Sequence, residues 1–539
     1  MSTSFPGKTA PTAQKLRGGY YTPEPIARFI ADWVCEAGVH TLEPSAGDGA
    51  ILKFLAERSR PIGIEIDPDE AALARRNSNI DVLNSDFFDW FVPSQYSTFD
   101  GVAGNPPYIR FGNWPIKERE KALNFMSLSG LTPSRLTNAW LPFVVAAIQA
   151  VKEEGRIGLV LPAELLQVGY AKELRAFLEQ SCSQINLVSF RQLVFPSVQQ
   201  EVVLLLAEKG AREVEIHAFE VESLECLDEV VIERGSPTAP ISPGSKWTQF
   251  YLTAAEIERL RALKNRKGIH SIGDFARVNV GVVTGRNSFF CLSEEEARSL
   301  KLEDLTIPLV SRSNFLRYPT ITTEDLALEN DKGKTRLLAV PSDFDLDKST
   351  PLRRYIRHGE QEGVHSGYKC RIRTPWWSVP STQVPDGFML RQVSKTLMIS
   401  ANHADATSTD TVHRLFFHDS DLSPTQLAVA ALNSLSFCSA EVEGRSYGGG
   451  VLELEPREAQ KVLVPNPHAV SEALISRVDS LLRAGDHEGA VNLVNEELLV
   501  KQVGLSYDEV AALARSHKKL MNRRLRRGKT NRKNNNVGA

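Results

Sequence analysis

The sequence has no long apolar run and few cysteines. None of its 539 residues lies in a run long enough for a membrane span, and residues 1–15 are polar, without the apolar core of a signal peptide. The six cysteines are scattered and form no CxxC pair, which argues against a zinc site or a disulfide framework. We therefore expect a cytoplasmic protein with reduced thiols that binds neither a metal nor a membrane.

The chain also lacks a strong overall excess of either charge. Its net charge is −3, but no Asp or Glu lies between Arg515 and Lys533, where Lys and Arg are frequent. A length of 539 residues is too great for one compact core. Composition and turn signals predict three parts: a first domain over 1–240, a mixed α+β domain over 245–470, and a helical segment over 471–539 with a basic, disordered tail.

The first domain opens with the signals of a parallel α/β sheet. Thr22 and Pro23 fit a helix start, with Thr22 as N-cap. A strand over 39–42 then leads into the turn Glu43-Pro44-Ser45-Ala46-Gly47-Asp48-Gly49, and a helix follows. Strand, glycine-rich turn and helix are typical of nucleotide-binding sheets, although a plain tight turn explains the glycines equally well.

Two further strands end in acids. The strand over 62–67 contains Glu65, about twenty residues after the glycines, where an acid in such folds binds ribose hydroxyls. The strand over 80–84 leads to Asp86 beside Phe87, a pair suited to the amine and ring of an adenine. Ligands in open α/β sheets bind at the carboxyl ends of the strands. Glu43, Glu65 and Asp86 therefore predict a nucleoside-bearing ligand.

The fourth strand, over 99–103, leads to Asn105-Pro106-Pro107-Tyr108, which we call the socket. Two prolines remove two backbone donors, so nearby carbonyl groups can point at a ligand. Asn105 adds an amide oxygen, and Tyr108 adds a ring that can stack on a planar base. The socket therefore predicts binding of a planar group that bears an NH2, as an amino-methyltransferase requires.

The rest of the first domain supplies a lid and completes the sheet. Residues 109–137 form a predicted loop with a short helix, a candidate lid over the socket. Strands over 156–161, 185–190 and 201–207 bring the sheet to seven. Phe195, before Pro196, is either a core residue, which its type favours, or an exposed stacking face.

The second domain contains basic residues close to aromatic ones. Examples are Arg286, the segment Tyr368-Lys369-Cys370-Arg371-Ile372-Arg373, and Trp376-Trp377. Such interleaving fits nucleic-acid contact, and a solvated face with buried tryptophans explains any single one of them equally well.

These segments, in this order, resemble the gamma-class N6-adenine DNA methyltransferases of the TaqI-like family, closely over roughly the first 210 residues. A Thr-Pro helix ahead of the glycine-rich turn is a mark of the gamma order. The resemblance implies an α/β fold: a Rossmann-like, seven-stranded class I methyltransferase domain, then a mixed α+β target-recognition domain and a helical, basic C-terminal tail.

The resemblance also implies the roles of the site residues. S-adenosylmethionine, without a metal, would be bound by Thr22, Glu43, Pro44, Ala46, Gly47, Glu65, Ile66, Asp86, Phe87 and Phe143. A target adenine flipped out of the duplex would be held by Asn105, Pro106, Pro107 and Tyr108. Phe195 would then be a stacking residue and not a core residue.

Partners and alternatives follow from the same resemblance. The implied partner is double-stranded DNA, with a separate restriction endonuclease, and the protein is expected to be a monomer. Only about twenty residues precede the Thr-Pro helix, too few for a nuclease domain, so we expect methylation without cleavage. The alternatives are N4-cytosine methylation, methylation of RNA guanine or of a protein glutamine, and a DNA-recognition factor without turnover.

Overall fold

The computed structural model describes residues 21–192, 194, 201–230, 232, 240–328, 333–446 and 450–536, the last ten of these as backbone alone. The chain divides into two compact units: the first contains the described residues up to Glu258 together with residues 526–536, and the second covers Arg259–Leu525. The sequence predicted a boundary near 240–245. No helix in these ranges combines the length and the apolar character needed to cross a membrane.

The first unit alternates helices and strands, as predicted. Its helices are α1 (Glu24–Cys35), α2 (Ala50–Arg58), α3 (Pro68–Ser78), α4 (Phe87–Trp90), α5 (Ile116–Leu128), α6 (Trp140–Ala150), α7 (Glu164–Gln167) and α8 (Lys172–Ser181). Its strands are β1 (His40–Glu43), β2 (Arg60–Glu65), β3 (Val82–Asn84), β4 (Phe99–Gly104), β5 (Val151–Pro162), β6 (Cys182–Phe190), β7 (Val202–Lys209) and β8 (Glu215–Val221).

These strands form one sheet in the order β3-β2-β1-β4-β5-β7-β6-β8. The first five strands of this order, from β3 at the edge to β5, pair in parallel. Strand β7 is antiparallel to both of its neighbours, β5 and β6. The predicted count of seven strands is wrong, because β8 pairs in parallel with β6 and extends the sheet at that edge. The order reverses direction at β1 and β4, which are neighbours although two strands separate them in sequence.

Helix α1 covers one face of this sheet. Its apolar side chains recur at helical spacing, and Ile26, Ile30 and Val34 are fully buried. They pack in a core with residues of the central strands such as Ala103 and Val160. The predicted N-cap is wrong: the helix begins at Glu24, Pro23 occupies the N-cap position, and no side chain caps it.

The second unit is mixed α+β, as predicted. Its helices are α9 (Ala254–Lys264, which begins in the first unit), α10 (Asn287–Phe290), α11 (Glu294–Ser299), α12 (Thr323–Leu328), α13 (Thr350–Gln361), α14 (Tyr368–Arg371), α15 (Pro424–Ala430), α16 (Ser434–Glu443), α17 (Pro456–Ala459), α18 (Glu472–Arg483), α19 (His487–Val494) and α20 (Tyr507–Asn536, whose residues after Leu525 belong to the first unit).

Its strands are short. They are β9 (Ile269–Ser271), β10 (Ala276–Val280), β11 (Cys291–Leu292), β12 (Thr306–Val310), β13 (Thr320–Thr322), β14 (Arg336–Leu338), β15 (Gly387–Leu390), β16 (Gln392–Val393), β17 (Ile399–His403), β18 (Thr407–Ser408), β19 (Val412–Phe417), β20 (Arg445–Ser446), β21 (Leu452–Glu453) and β22 (Leu463–Pro465). The largest sheet of this unit has the order β10-β19-β15-β17-β13.

The C-terminal segment differs from the prediction in one respect. The basic stretch was expected to be disordered, but α20 continues as helix to Asn536. The helix is anchored near its middle: the buried Arg524 guanidinium donates to both carboxylate oxygens of the buried Glu441, at 3.0 and 2.9 Å. A buried, bidentate pair of this kind holds the helix in one register.

Candidate active site

The predicted ligand-binding strand ends lie side by side in the sheet. Glu43 ends β1, Glu65 ends β2, Asp86 follows β3, and Asn105 follows β4 directly. Since these four strands are adjacent and parallel, their carboxyl ends meet at one edge. The crevice of such a sheet opens where the strand order reverses, which is between β1 and β4. The glycine turn and the socket flank that crevice.

The glycine turn is tied to the end of β2 through Glu65. One carboxylate oxygen of Glu65 accepts from the Gly47 backbone N–H at 2.8 Å, and the other accepts from the Asp67 N–H at 2.9 Å. Burial raises the pKa of Glu65 above its usual value. Because a carboxylate has about four acceptor positions, Glu65 retains capacity for the two hydroxyls of a ribose.

Glu43 is a buried carboxyl group with an unsatisfied oxygen. Its side chain is 2% exposed, and within the described ranges its Oε2 atom has no hydrogen-bond partner. Burial, followed by the charges of Asp48 and Glu65, raises the pKa of Glu43 well above its usual value. A buried polar atom left without a partner is costly, and a bound ligand with a donor or a positive charge would remove that cost.

The socket is oriented by hydrogen bonds to three other segments. The Asn105 side-chain N–H donates to the Thr22 hydroxyl oxygen at 3.2 Å, and Ser45 Oγ donates to the Asn105 carbonyl oxygen at 3.4 Å. The Tyr108 hydroxyl donates to the Val160 carbonyl oxygen of β5 at 2.9 Å. These contacts hold the amide and the ring in defined positions. Thr22 is therefore a hydrogen-bond partner of the socket and does not cap α1.

Asp86 has a cationic partner that the sequence did not predict. One of its oxygens accepts from the Phe88 N–H at 2.9 Å, and the other lies 3.0 Å from Lys121 Nζ. Lys121 also binds Asp89. It lies in α5, a thirteen-residue helix within the predicted lid, which was expected to contain only a short helix. No local pattern indicates this contact, since 35 residues separate the partners.

The predicted cofactor-binding aromatics are in contact with each other. The rings of Phe87 and Phe143 stack with centroids 5.4 Å apart, and both side chains are buried. Ile66 is 53% exposed beyond the end of β2.

Other predicted residues lie in the turns that flank the crevice. Ala46 is buried in the glycine turn, and Pro44 lies beside Gly104 at the end of β4. Pro106 is buried and Pro107 half-buried in the socket. Phe195 lies outside the described residues.

A second pair of polar residues follows β5 at the same edge of the sheet. The Tyr170 hydroxyl donates to the Glu164 carboxylate, and burial together with that carboxylate raises the pKa of Tyr170 above its usual value. The loop between them is held by buried Arg175, whose guanidinium donates to the Leu165 carbonyl oxygen at 2.9 Å. The sequence did not predict this pair, because neither residue belongs to a recognisable motif.

Two protein-family models match the chain. The model described as Eco57I restriction-modification methylase matches residues 57–195, which include Glu65, Asp86 and the socket. The C-terminal domain of the Type II methyltransferase M.Eco57I matches residues 244–499. The chain therefore contains domains of the Eco57I restriction-modification methylase type over these two ranges.

Two Type II methyltransferases are similar to this chain over most of its length. The Type II methyltransferase M.AccI of Acinetobacter calcoaceticus is 22% identical over 82% of this chain and 84% of its own length. M.XamI of Xanthomonas campestris pv. amaranthicola is 23% identical over 85% of this chain and 86% of its own length. Methyltransferases of this family use S-adenosylmethionine.

One solved structure shares the fold over most of the chain. The Type IIL restriction-modification enzyme MmeI, solved in complex with DNA, is similar with a TM-score of 0.56 at 12% identity, covering 93% of this chain and 75% of that one. This likeness concerns the fold alone. Across the described residues of this chain, no group of three or more His, Cys, Asp or Glu side chains is arranged to hold a metal ion.

Proposed function

We propose that this protein is a gamma-class DNA methyltransferase that transfers the methyl group of S-adenosylmethionine to N6 of an adenine in double-stranded DNA. The observation that carries the proposal is the position of the socket at the crevice between β1 and β4, beside the buried Glu43. Asn at the first socket position, in preference to Ser, favours adenine over cytosine.

The residues around the crevice fit the cofactor. Glu65 would bind the ribose hydroxyls, Asp86 the adenine amine, and the buried Oε2 of Glu43 would accept from or pair with the amino-acid end. The turn at Gly47 has open space where a side chain would project, so a ligand can approach the backbone closely. S-adenosylmethionine supplies an electrophilic methyl group whose departure needs no metal.

The socket would prepare the target nitrogen. The lone pair of an adenine amine is delocalised into the ring and is therefore a weak nucleophile. Because the Asn105 N–H is engaged by Thr22, the amide oxygen faces away from Thr22 and can accept from the amine together with the Pro106 carbonyl oxygen. Two such acceptors would shift the nitrogen towards sp3 geometry. Positioning of the reactants and electrostatic stabilisation of the transition state would then lower the barrier to methyl transfer.

The target base would have to leave the duplex. N6 of a paired adenine is inaccessible inside the helix, so enzymes that act on bases extrude them into a pocket. The ring of Tyr108, fixed by its hydrogen bond to Val160, would form one wall of that pocket. Phe195 would form the other.

We further propose that the protein is the modification part of a restriction-modification system. The names of its relatives, Type II methyltransferases, support this assignment. Double-stranded DNA would be the partner, the second unit would choose the site, and a separate endonuclease would cleave unmodified DNA. The protein would act as a monomer.

Mass spectrometry of modified DNA tests the chemistry. Purified protein, S-adenosylmethionine and unmethylated duplex DNA should yield N6-methyladenine, and single-molecule sequencing should map it to one short site. Asn105→Ala should lower the rate by roughly 100-fold or more while retaining cofactor affinity, whereas Asn492→Ala, at an exposed position of α19, should behave as the wild type. N4-methylcytosine as the product, or full activity of Asn105→Ala, would refute the assignment.

A further inference from the structure

Two segments of the second unit that contain no acidic residue pack against each other. No Asp or Glu occurs between Asp274 and Glu294, or between Glu362 and Asp386. The structure brings residues 283–287 of the first segment against 368–373 of the second. A Cβ atom built on Gly285 would lie 2.9 Å from the Lys369 Cβ, so the two backbones approach closely there.

One arginine holds the two segments together. The Arg373 guanidinium donates to the Thr284 carbonyl oxygen at 2.8 Å and also to the Val283 carbonyl oxygen. It is half-buried, and burial lowers its pKa. Arg373 therefore holds the two segments together, and its charge is less exposed than the charges of its basic neighbours.

Three other cations remain at the surface of the paired segments. Arg286, Lys369 and Arg371 are exposed, and across the described residues none has a carboxylate within ion-pair distance. Arg286 donates to the backbone carbonyl of Glu362 at 3.3 Å, while the side chain of Glu362 lies 3.5 Å from His358. Within the described residues, no carboxylate therefore forms a direct ion pair with these three cations.

Two apolar side chains are exposed among these cations. Tyr368 is 65% exposed and Ile372 is 61% exposed, and their spacing of four places them on one side of the helical turn. The neighbouring tryptophans differ: Trp376 packs with Phe289 in a buried cluster, its ring centroids 5.4 Å away. The structure thus selects Tyr368 over the tryptophans as the accessible aromatic.

We propose that Arg286, Lys369 and Arg371, with Tyr368 and Ile372, form a basic patch that contacts the DNA duplex during site recognition. The three cations would bind backbone phosphates, which position a protein on DNA, and the two apolar side chains would reach sugar or base edges. The inference rests on the proposed function, because it takes its partner from there. Uncompensated positive charge beside exposed apolar groups is complementary to a polyanion with stacked bases.

The salt dependence of DNA binding tests the patch. The triple variant Arg286→Ala/Lys369→Ala/Arg371→Ala should lower the magnitude of the slope of log Kobs against log salt by about 2 to 3, measured by fluorescence anisotropy of a labelled duplex between about 0.05 and 0.2 M salt. Its affinity near 0.1 M salt should fall on the order of 100-fold. Tyr368→Ala should weaken binding without changing the slope.

Matched controls separate the patch from general charge loss. Arg457→Ala/Lys461→Ala/Arg477→Ala removes three exposed cations elsewhere in the same unit and should retain the wild-type slope. Arg286→Lys/Lys369→Arg/Arg371→Lys keeps the charges and should also retain it, which guards against a folding defect. The proposed patch would be wrong if both alanine triples lowered the salt slope equally, or if the triple variant of Arg286, Lys369 and Arg371 left the slope unchanged.

The outcome can be told apart from failure of the proposed function. If the wild type methylates DNA and both alanine triples bind it alike, only the patch is wrong. If the wild type binds S-adenosylmethionine but neither binds nor methylates duplex DNA, the function itself fails. Binding of a duplex RNA probe in preference to DNA would overturn the choice of partner.

Discussion

The side-chain amide of Asn105 donates a hydrogen bond of 3.2 Å to the hydroxyl of Thr22, a residue 83 positions earlier in the chain. The bond joins a residue two positions before α1 to the first residue after β4. It fixes which atom of the amide is turned towards Thr22, and in the proposed reaction the amide oxygen would accept from the substrate amine.

Replacing Thr22 by Val should separate this orienting role from cofactor binding. Val keeps the shape of Thr but cannot accept the hydrogen bond, so the Asn105 amide is no longer held in one orientation. We expect kcat to fall roughly tenfold, which corresponds to the loss of about one hydrogen bond. Thr22→Ser should retain most of the activity. Methyl transfer under saturating cofactor and DNA measures kcat. A change in cofactor KM alone would show that Thr22 acts on the cofactor and not on Asn105.

Replacing Glu43 by Gln should stabilise the cofactor-free protein at high pH. Burial with the charges of Asp48 and Glu65 holds the pKa of Glu43 well above its usual value, so the folded protein binds this proton more tightly than the unfolded chain does. The stability contributed by the protonated group is complete below the unfolded pKa of about 4.3 and is lost as pH rises through the folded pKa.

The two proteins should therefore differ most at pH 8 and converge as pH falls towards 5. Calorimetric Tm values over this range, without cofactor, provide the measurement. Glu120→Gln, an exposed residue of α5, is the matched control and should have no pH-dependent effect. In a cofactor titration at pH 8, Glu43→Gln should bind S-adenosylmethionine more weakly. Equal Tm differences at all pH values would contradict the expected ionisation.

Alanine substitutions of the two turn glycines should have opposite consequences. Gly47 and Gly49 have φ of 54° and 81°, so Ala is strained at both, by about 1 to 2 kcal/mol. At Gly47 a Cβ has nothing within 4 Å, whereas at Gly49 it would lie 2.9 Å from the Ala74 Cα. Gly49→Ala should therefore lose more unfolding free energy than Gly47→Ala, because the backbone of α3 must move.

Cofactor titration should reverse that order. The open space beside Gly47 is where we expect the ligand to approach the backbone, so Gly47→Ala should lower cofactor affinity at a small cost in stability. Urea denaturation and isothermal titration of the two variants provide both quantities. Wild-type cofactor affinity in Gly47→Ala would mean that the ligand does not approach this turn.

Replacing Lys121 by Met should loosen α5. Lys121 binds Asp86 and Asp89, and the ring of Phe125 in the same helix packs 5.4 Å from Phe88. Met keeps the apolar stem but removes the charge, so amide hydrogen exchange over 116–128 should increase severalfold while the central strands stay protected. Lys117→Met, at an exposed position of the same helix, should leave the exchange unchanged. Identical exchange in all three proteins would refute an anchoring role.

Local patterns predicted much of the first unit. The strand ends at Glu43, Glu65 and Asn105 were predicted at or next to the positions where β1, β2 and β4 end, because alternating apolar strands and turn residues are encoded by neighbours in sequence. The same local rules failed at Thr22, where the expected cap competes with a partner from a distant strand end. They indicated further strands after residue 213 but did not assign β8 to the first sheet, because β8 is half-buried at an edge and has a weak apolar pattern.

The second unit illustrates the same limit. Arg373 and Trp376 lie in one basic, aromatic segment and look equivalent in sequence, yet the first binds backbone carbonyls and the second packs in a core. Arg286, Lys369 and Arg371 differ from Arg373 in being exposed, and only the structure shows that they are accessible to a binding partner.

The sequence by itself determined the order of the site residues along the chain and the chemistry that each can perform. It did so because residue type, spacing and turn chemistry are properties of short segments. The tertiary structure decided which of those residues meet: the crevice beside Glu43, the bond from Asn105 to Thr22, and the ion pair of Asp86 with Lys121. Each of these joins segments that are far apart in the chain, and the strand order of the folded sheet, which no local pattern encodes, brings them together.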